Sequence, residues 1–330
     1  MKMLDKLYQI DKSVFPPSPL WKFKKGIYSK YGMFLKSGST PPPGTLYGWN
    51  LTTLNIGLKG DYSALTDFDL NGADAGKAQW IGGTGGYLYV YGNQTIENKI
   101  FTYTKYLRAP EGGTVFKNCL FRPTALQSGM YFVELVGGTM EDCEVSGELL
   151  NEDWAHNCLS LTNSILRRNN LHHCDAGVMA YNTNGQTIIS QNYIHDVLYK
   201  VDSNDHCVGM SIWSSEGDGV IVSNNRILMD DELVRVHCTG AFFNQPASGY
   251  VITNGVSVTG NLFESSSYVI HLTGTTGTTL PYSITNNRLT LLPSDSAWGY
   301  FATNTITPEW SENYVYDEND PDGKGTLITI

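Results

Sequence analysis

The chain has 330 residues and a net charge of −10, with charged residues making up only 16% of it; an average soluble protein has roughly 25%. So few charges cannot line the wet faces of many long helices. The 41% apolar content with 34 glycines argues instead for a packed core with many turns and against disorder. Residues 1–36 hold eight lysines against two aspartates, which leaves a strongly acidic body and disfavours nucleic acid as a partner.

From the N-terminus, residues 1–40 read as a basic arm or attachment segment. Asp5, Lys6 and Asp11 interrupt any apolar stretch there, so no export signal is expected. No apolar run reaches the roughly 18 residues of a membrane span, which excludes insertion by a helix. Residues 41–110 carry a Pro-rich joint at Thr40-Pro-Pro-Pro-Gly44 and a Gly-rich stretch at Gly82-Gly-Thr-Gly-Gly86. They read as a β-rich cap or docking region. The six cysteines (119, 143, 158, 174, 207 and 238) form no CxxC pair and are expected as buried thiols. Neither a metal nor a cofactor is expected.

From residue 111 to 316 one short pattern recurs: apolar, two variable residues, Asn, one variable residue, apolar. It reads Val115 to Leu120 around Asn118, Leu166 to Leu171 around Asn169, and Ile189 to Ile194 around Asn192. It continues around Asn225, Asn261, Asn287 and Asn313, with Cys143 in the Asn place between Met140 and Val145. The spacing varies from 23 to 36 residues. Leucine-rich repeats have similar periods but need a Leu-dominated consensus; here β-branched and aromatic residues flank the Asn, which favours strands. The predicted fold is all-β: a parallel β-helix of about eight or more coils with three short sheets. Asn at a bend tolerates unusual backbone angles and can bond its copies one rung away. Residues 317–330 are expected to form an acidic tail with a closing strand.

A second strand follows each Asn, as in Gly177 to Asn182, Gly209 to Ser214 and Gly240 to Gln245. Aligned on the first Gly, alternation points Val178, Ala180, Met210, Ile212, Ala241 and Phe243 inward. The same parity turns Tyr181 and Trp213 outward; with Phe242 beside them they form a candidate sugar-stacking strip. His172 and His195 each fall three residues after the Asn and are expected on one outward column. With His206 and the carboxylates Asp175, Asp196 and Asp205 they make a candidate acid–base groove beside the 197–207 loop. A repeat-derived ladder without chemistry and a metal site are the competing readings of the same residues.

These coils resemble right-handed, pectate-lyase-like β-helix proteins over about residues 110–315. Pro42 to Thr52, with Asn55 to Leu58, is similar to the N-terminal part of β-helix tail proteins from phages of actinobacteria. Cys238 to Phe243 and Val256 to Glu264 resemble their later coils. The resemblance implies a minor tail or tailspike protein in the virion, contacting host surface or cell-wall polysaccharide. It also implies docking to other tail proteins through residues 1–110, and a homotrimer. The alternative is an extracellular carbohydrate-active enzyme, a polysaccharide lyase, hydrolase or epimerase. The resembling proteins open one strand with His-x-Asp-Gly; here His206-Cys-Val-Gly209 has Val208 in the Asp place.

Overall fold

The computed structural model describes residues 46–60, 62–82, 86–125, 131–150, 157–197, 207–229, 238–244, 252–265, 268–273, 282–292, 299–303 and 307–330. The basic arm, residues 1–40, lies outside the described residues. Among the described residues three long sheets run between Thr66 and Leu327, with nine, eleven and ten strands. In each coil a short strand such as Ile165–Arg167 lies in sheet 1, one such as Asn170–Cys174 in sheet 2, and a longer one such as Ala176–Asn182 in sheet 3. Pairing between coils is parallel and in register, for example Leu166 with Ile189 and Leu171 with Ile194. This is the parallel β-helix that the Asn repeat predicts.

The core follows from alternation. Leu166, Ile189, Val222, Val258 and Ile284 point inward from sheet 1, and Leu171, Ile194, Ile227, Phe263 and Leu289 from sheet 2; all are fully buried. Phe101, Phe116 and Phe121 fill the first coils, with Phe101 and Phe121 stacked at 4.9 Å. The ends are closed by antiparallel pairs, Ala78–Ile81 with Tyr87–Val90 and Tyr314–Tyr316 with Lys324–Leu327.

Between sheets 1 and 2 the chain bends through two positions with separate duties. The first is left-handed in nine successive coils: Asn98, Asn118, Asp142, Arg168, Gln191, Asn224, Gly260, Asn286 and Glu312. The second is the ladder. Asn169, Asn192, Asn225, Asn261, Asn287 and Asn313 are fully buried. In each step one Nδ2 donates to the Oδ1 of the next Asn at 2.9–3.0 Å. The same Oδ1 accepts the preceding backbone N–H, as for Asn192 N to Asn225 Oδ1 at 2.9 Å. From Asn169 to Asn287, each rung therefore finds an acceptor for both of these buried donors in the Oδ1 of the next.

This geometry corrects the first repeat. Phe116 pairs with Met140, so the ladder member of that coil is Cys119, and Asn118 is the left-handed residue before it. Cys119 substitutes for Asn, its Sγ donating to Ile96 O at 3.4 Å. One coil earlier Lys99 takes the ladder place, since Ile96 pairs with Phe116 and Phe101 with Phe121. Its ammonium lies 2.7 Å from the buried Asp74 carboxylate. Coils thus begin upstream of residue 111, at the strand Thr95–Glu97.

The segment from Leu46 to Asp67 falls in the region expected to form a β-rich cap or docking region. It runs as a strap along the outer face of sheet 2, against the direction of the coils. Trp49 stacks on the Arg288 guanidinium, 4.3 Å from Cζ to the ring centre. Leu51 and Ile56 pack on Tyr193, and Gly57 N donates to Arg168 O at 3.1 Å. Further on, Lys59 N donates to Asn118 Oδ1 at 2.6 Å, and Thr66 pairs with Lys99. Close approach demands glycine at Gly48, where a Cβ would lie 2.1 Å from Asn225 O.

Candidate functional site

The predicted column on sheet 2 exists. His172 pairs with His195 in register, and their rings stack at 5.1 Å with 8° between planes. Both point away from the core, yet they are only 5% and 8% exposed. The groove is closed because the strap passes over Tyr193 and Asn170, the side chains that flank His195. The Tyr193 ring lies 4.4 Å from that of His195, and a Cβ on Gly57 would sit 2.8 Å from Asn170 Cβ.

Each ring nitrogen has a partner. His195 Nδ1 lies 2.8 Å from Asp196 Oδ2, and His195 Nε2 lies 2.9 Å from Asn170 Oδ1. His172 Nε2 faces Glu144 Oε1 at 3.3 Å, and its Nδ1 faces His173 Nδ1 at 2.7 Å. The strap supplies Tyr62, whose hydroxyl donates to Glu144 Oε2 at 2.5 Å. Burial opposes the Glu144 charge, but the hydrogen bonds from His172 and Tyr62 outweigh it and hold its carboxyl below the usual range. Burial, then repulsion from His172, pushes His173 below the usual imidazole value. Asp175 stands half-buried at the corner leading to sheet 3. His206 and Asp205 lie outside the described residues.

On sheet 3, Tyr181 and Trp213 face outward, half-buried, with ring centres 5.9 Å apart. Trp213 is an extra residue in its strand: Ala180 pairs with Ile212 and Tyr181 with Ser214, so a bulge lifts Trp213 out of the ladder. Its Nε1 donates to Ser211 Oγ at 2.7 Å. The hydroxyls of Tyr131 and Tyr181 meet at 3.1 Å, adding a third aromatic that the repeat did not reveal.

Phe242 does not belong to this strip. It pairs with Met210 and is fully buried against the core, where it meets Phe263. Another register shift, after Cys207, sets Val208 opposite Gly240. A slip of one residue exchanges the two faces, so Phe242 points inward and Phe243 does not pair with the interior Met210.

Several of the cations among the described residues near these faces are ion-paired. Arg167 and Arg168 bind Glu141 and Asp142, and Arg226 binds Glu264 at 2.8 Å. A pocket of about 330 Å³, lined by Phe68, Trp80, Leu88 and Phe101 together with Thr102 and Thr124, opens at the capped end. Among the described residues, one grouping brings metal-ligating atoms together: Glu148, His172 and His173. Of these, sequence reasoning singled out only His172. The adjacent His172-His173 pair was the visible signal; Glu148 gave none, because it belongs to no repeat.

These observations define the class, a right-handed parallel β-helix with one face strapped and one face lined by aromatic rings. Residues 107–289 match the family model for the right-handed beta helix region. That is more than half of the chain, and the protein belongs to this family. No curated protein and no solved structure matches the chain.

Proposed function

We propose that the protein is a phage tail protein of the tailspike kind, whose coils present the outer face of sheet 3 to a host surface polysaccharide. The observation that carries this reading is the aromatic strip of Tyr131, Tyr181 and Trp213, outward on a rigid sheet. Flat rings of this kind suit the apolar faces of pyranoses and carry polar atoms at their edges. The N-terminal segment from Pro42 to Leu58, which resembles the corresponding part of phage β-helix tail proteins, supports the tail assignment. On this reading residues 1–110 include the surface that meets other tail proteins, the assembly is a homotrimer, and the protein resides in the virion.

The alternative, a carbohydrate-active enzyme, draws on the His195–Asp196 pair at 2.8 Å. The strap over the residues flanking His195 weighs against it, because a general acid or base must reach the proton it moves. The deciding experiment measures retention of the purified chain on host cell-wall polysaccharide. Trp213→Ala is expected to weaken binding by about tenfold, the worth of one aromatic stacking contact, while the melting temperature stays near that of the parent. Unchanged binding by both Trp213→Ala and Tyr181→Ala would reject the strip as a glycan site.

A further inference from the structure

We propose that His172, His173 and Glu148 bind a divalent transition-metal ion of the zinc class at the corner where sheet 2 turns toward sheet 3. One donor atom from each residue lies within 4.8 Å of the other two. Three observations raise this above a chance grouping.

The first is the tautomer. Glu144 Oε1 lies 3.3 Å from His172 Nε2, and an ionised carboxylate only accepts. Nε2 therefore carries the proton and Nδ1 keeps its lone pair. That lone pair faces His173 Nδ1 at 2.7 Å. Two imidazole nitrogens so close must share either a proton or a cation. A carboxylate behind a ligating histidine is the usual outer-shell arrangement of a zinc site. Here Tyr62 of the strap holds that carboxylate in turn.

The second is the backbone. Consecutive residues of a strand point to opposite faces, yet the rings of His172 and His173 meet edge to face at 4.9 Å. The left-handed conformation of His173, with φ of 57°, turns it back toward its neighbour.

The third is the next coil, which repeats the corner with different chemistry. His195 pairs with His172, and Asp196 is left-handed like His173, with φ of 47°. There Nδ1 meets the Asp196 carboxylate, and His195 and Asp196 belong to no grouping of three donors among the described residues. The same scaffold gives an internal ion pair in one coil and converging donors in the other.

Two imidazole nitrogens and one carboxylate oxygen suit zinc, cobalt, nickel or copper; calcium and magnesium prefer oxygen. Binding would open the 2.7 Å nitrogen pair to about 3.4 Å, the edge of a tetrahedron with bonds of about 2.1 Å. The shared proton would leave to solvent. Glu148 is exposed, so water can complete the coordination. The ion would then fasten the strap to sheet 2 through Tyr62, Glu144 and His172.

The test uses the untagged full chain, stripped with a chelator and titrated calorimetrically with zinc chloride, and separately with calcium chloride. One zinc ion per chain is expected, with calcium at least about 100-fold weaker. His173→Ala should abolish the binding. Glu144→Gln should weaken it about 10–100-fold, and Asp196→Asn should leave it unchanged. Should His173→Ala fail to fold, Glu148→Gln carries the test, because it alters an exposed side chain. Absence of zinc binding by the parent, binding that survives Glu148→Gln undiminished, or equal affinity for calcium would each overturn the proposal.

Discussion

Sheets 2 and 3 are wound from the same coils, yet their outer faces finish differently. On sheet 2 the chain covers itself: Leu51 and Ile56 seal Tyr193, and His172 and His195 end almost fully buried. On sheet 3 a bulge does the reverse, lifting Trp213 beside Tyr181. The coil pattern sets which side chains point outward, but what a face can touch is set by elements that do not repeat. One face has become internal structure, while on the other Tyr181 and Trp213 stay half-buried.

Three changes on the strapped side sharpen this contrast, each expected to leave the proposed polysaccharide retention through sheet 3 intact. The largest is Asn225→Ala. It orphans the backbone N–H and the Nδ2 of Asn192, both bonded to Asn225 Oδ1 at 2.9 Å. A buried donor left unsatisfied costs about 1–3 kcal/mol, so a loss of about 3 kcal/mol is expected in urea unfolding. A midpoint like that of the parent would count against a ladder that bears load.

Gly48→Val comes next. Its Cβ would run into Asn225 O, and overpacking of this kind costs about 1–3 kcal/mol. The strap should lift, and amide hydrogen exchange around Tyr193 and His195 should rise while exchange at Trp213 stays constant. Equal protection on both faces in the variant would show that something other than the strap shields sheet 2.

The smallest is acid loosening where the strap enters the first coil. Burial works against the Asp74 charge, but hydrogen bonds from Lys77 and Lys99 prevail and lower its pKa from 3.8 to about 2. Its folded pKa lies below its unfolded one. The resulting stability, up to about 2 kcal/mol, is fully present above pH 4 and is lost as pH falls toward 2. Asp74→Asn should be less stable than the parent at pH 6 and should shed less stability between pH 4 and 2. Parallel acid profiles for the two proteins would refute this.

The fold was legible in the sequence because every coil must bury the same two apolar positions around one bend, and that demand prints a period. The register was less so at the first copy. Asn118 occupies a bend position that asks only for a left-handed residue, and Asn suits that as well as it suits the ladder. Cys119, doing the ladder's work with sulfur, left no Asn to find. Phe242 was misplaced for a similar reason: alignment on glycines assumes constant register, and a shift beside Cys207 breaks it. The column of His172 with His195 and the outward turn of Tyr181 and Trp213 were readable from spacing. The covering of the first, and the bulge that sets Trp213 off the register of Tyr181, were not. The strap binds residues more than 100 positions away, as between Leu51 and Arg226, with no pattern of its own.

The strap also imposes an order of assembly. It precedes every coil in the chain, but Trp49 rests on Arg288 and Gly48 N on Gly260 O, so the seat of its first residues does not exist until those coils have been made. A solenoid can propagate coil upon coil from neighbour contacts alone; docking this segment closes a loop around nearly all of them, the slow kind of contact in folding. At about 5–20 residues per second of synthesis, the delay between making Trp49 and making Arg288 is roughly ten to fifty seconds. A chain cut short before Arg288 would still offer Tyr193 and Arg168 to Leu51, Ile56 and Gly57 but nothing for Trp49 to rest on, so complete docking of the strap requires the solenoid through that coil.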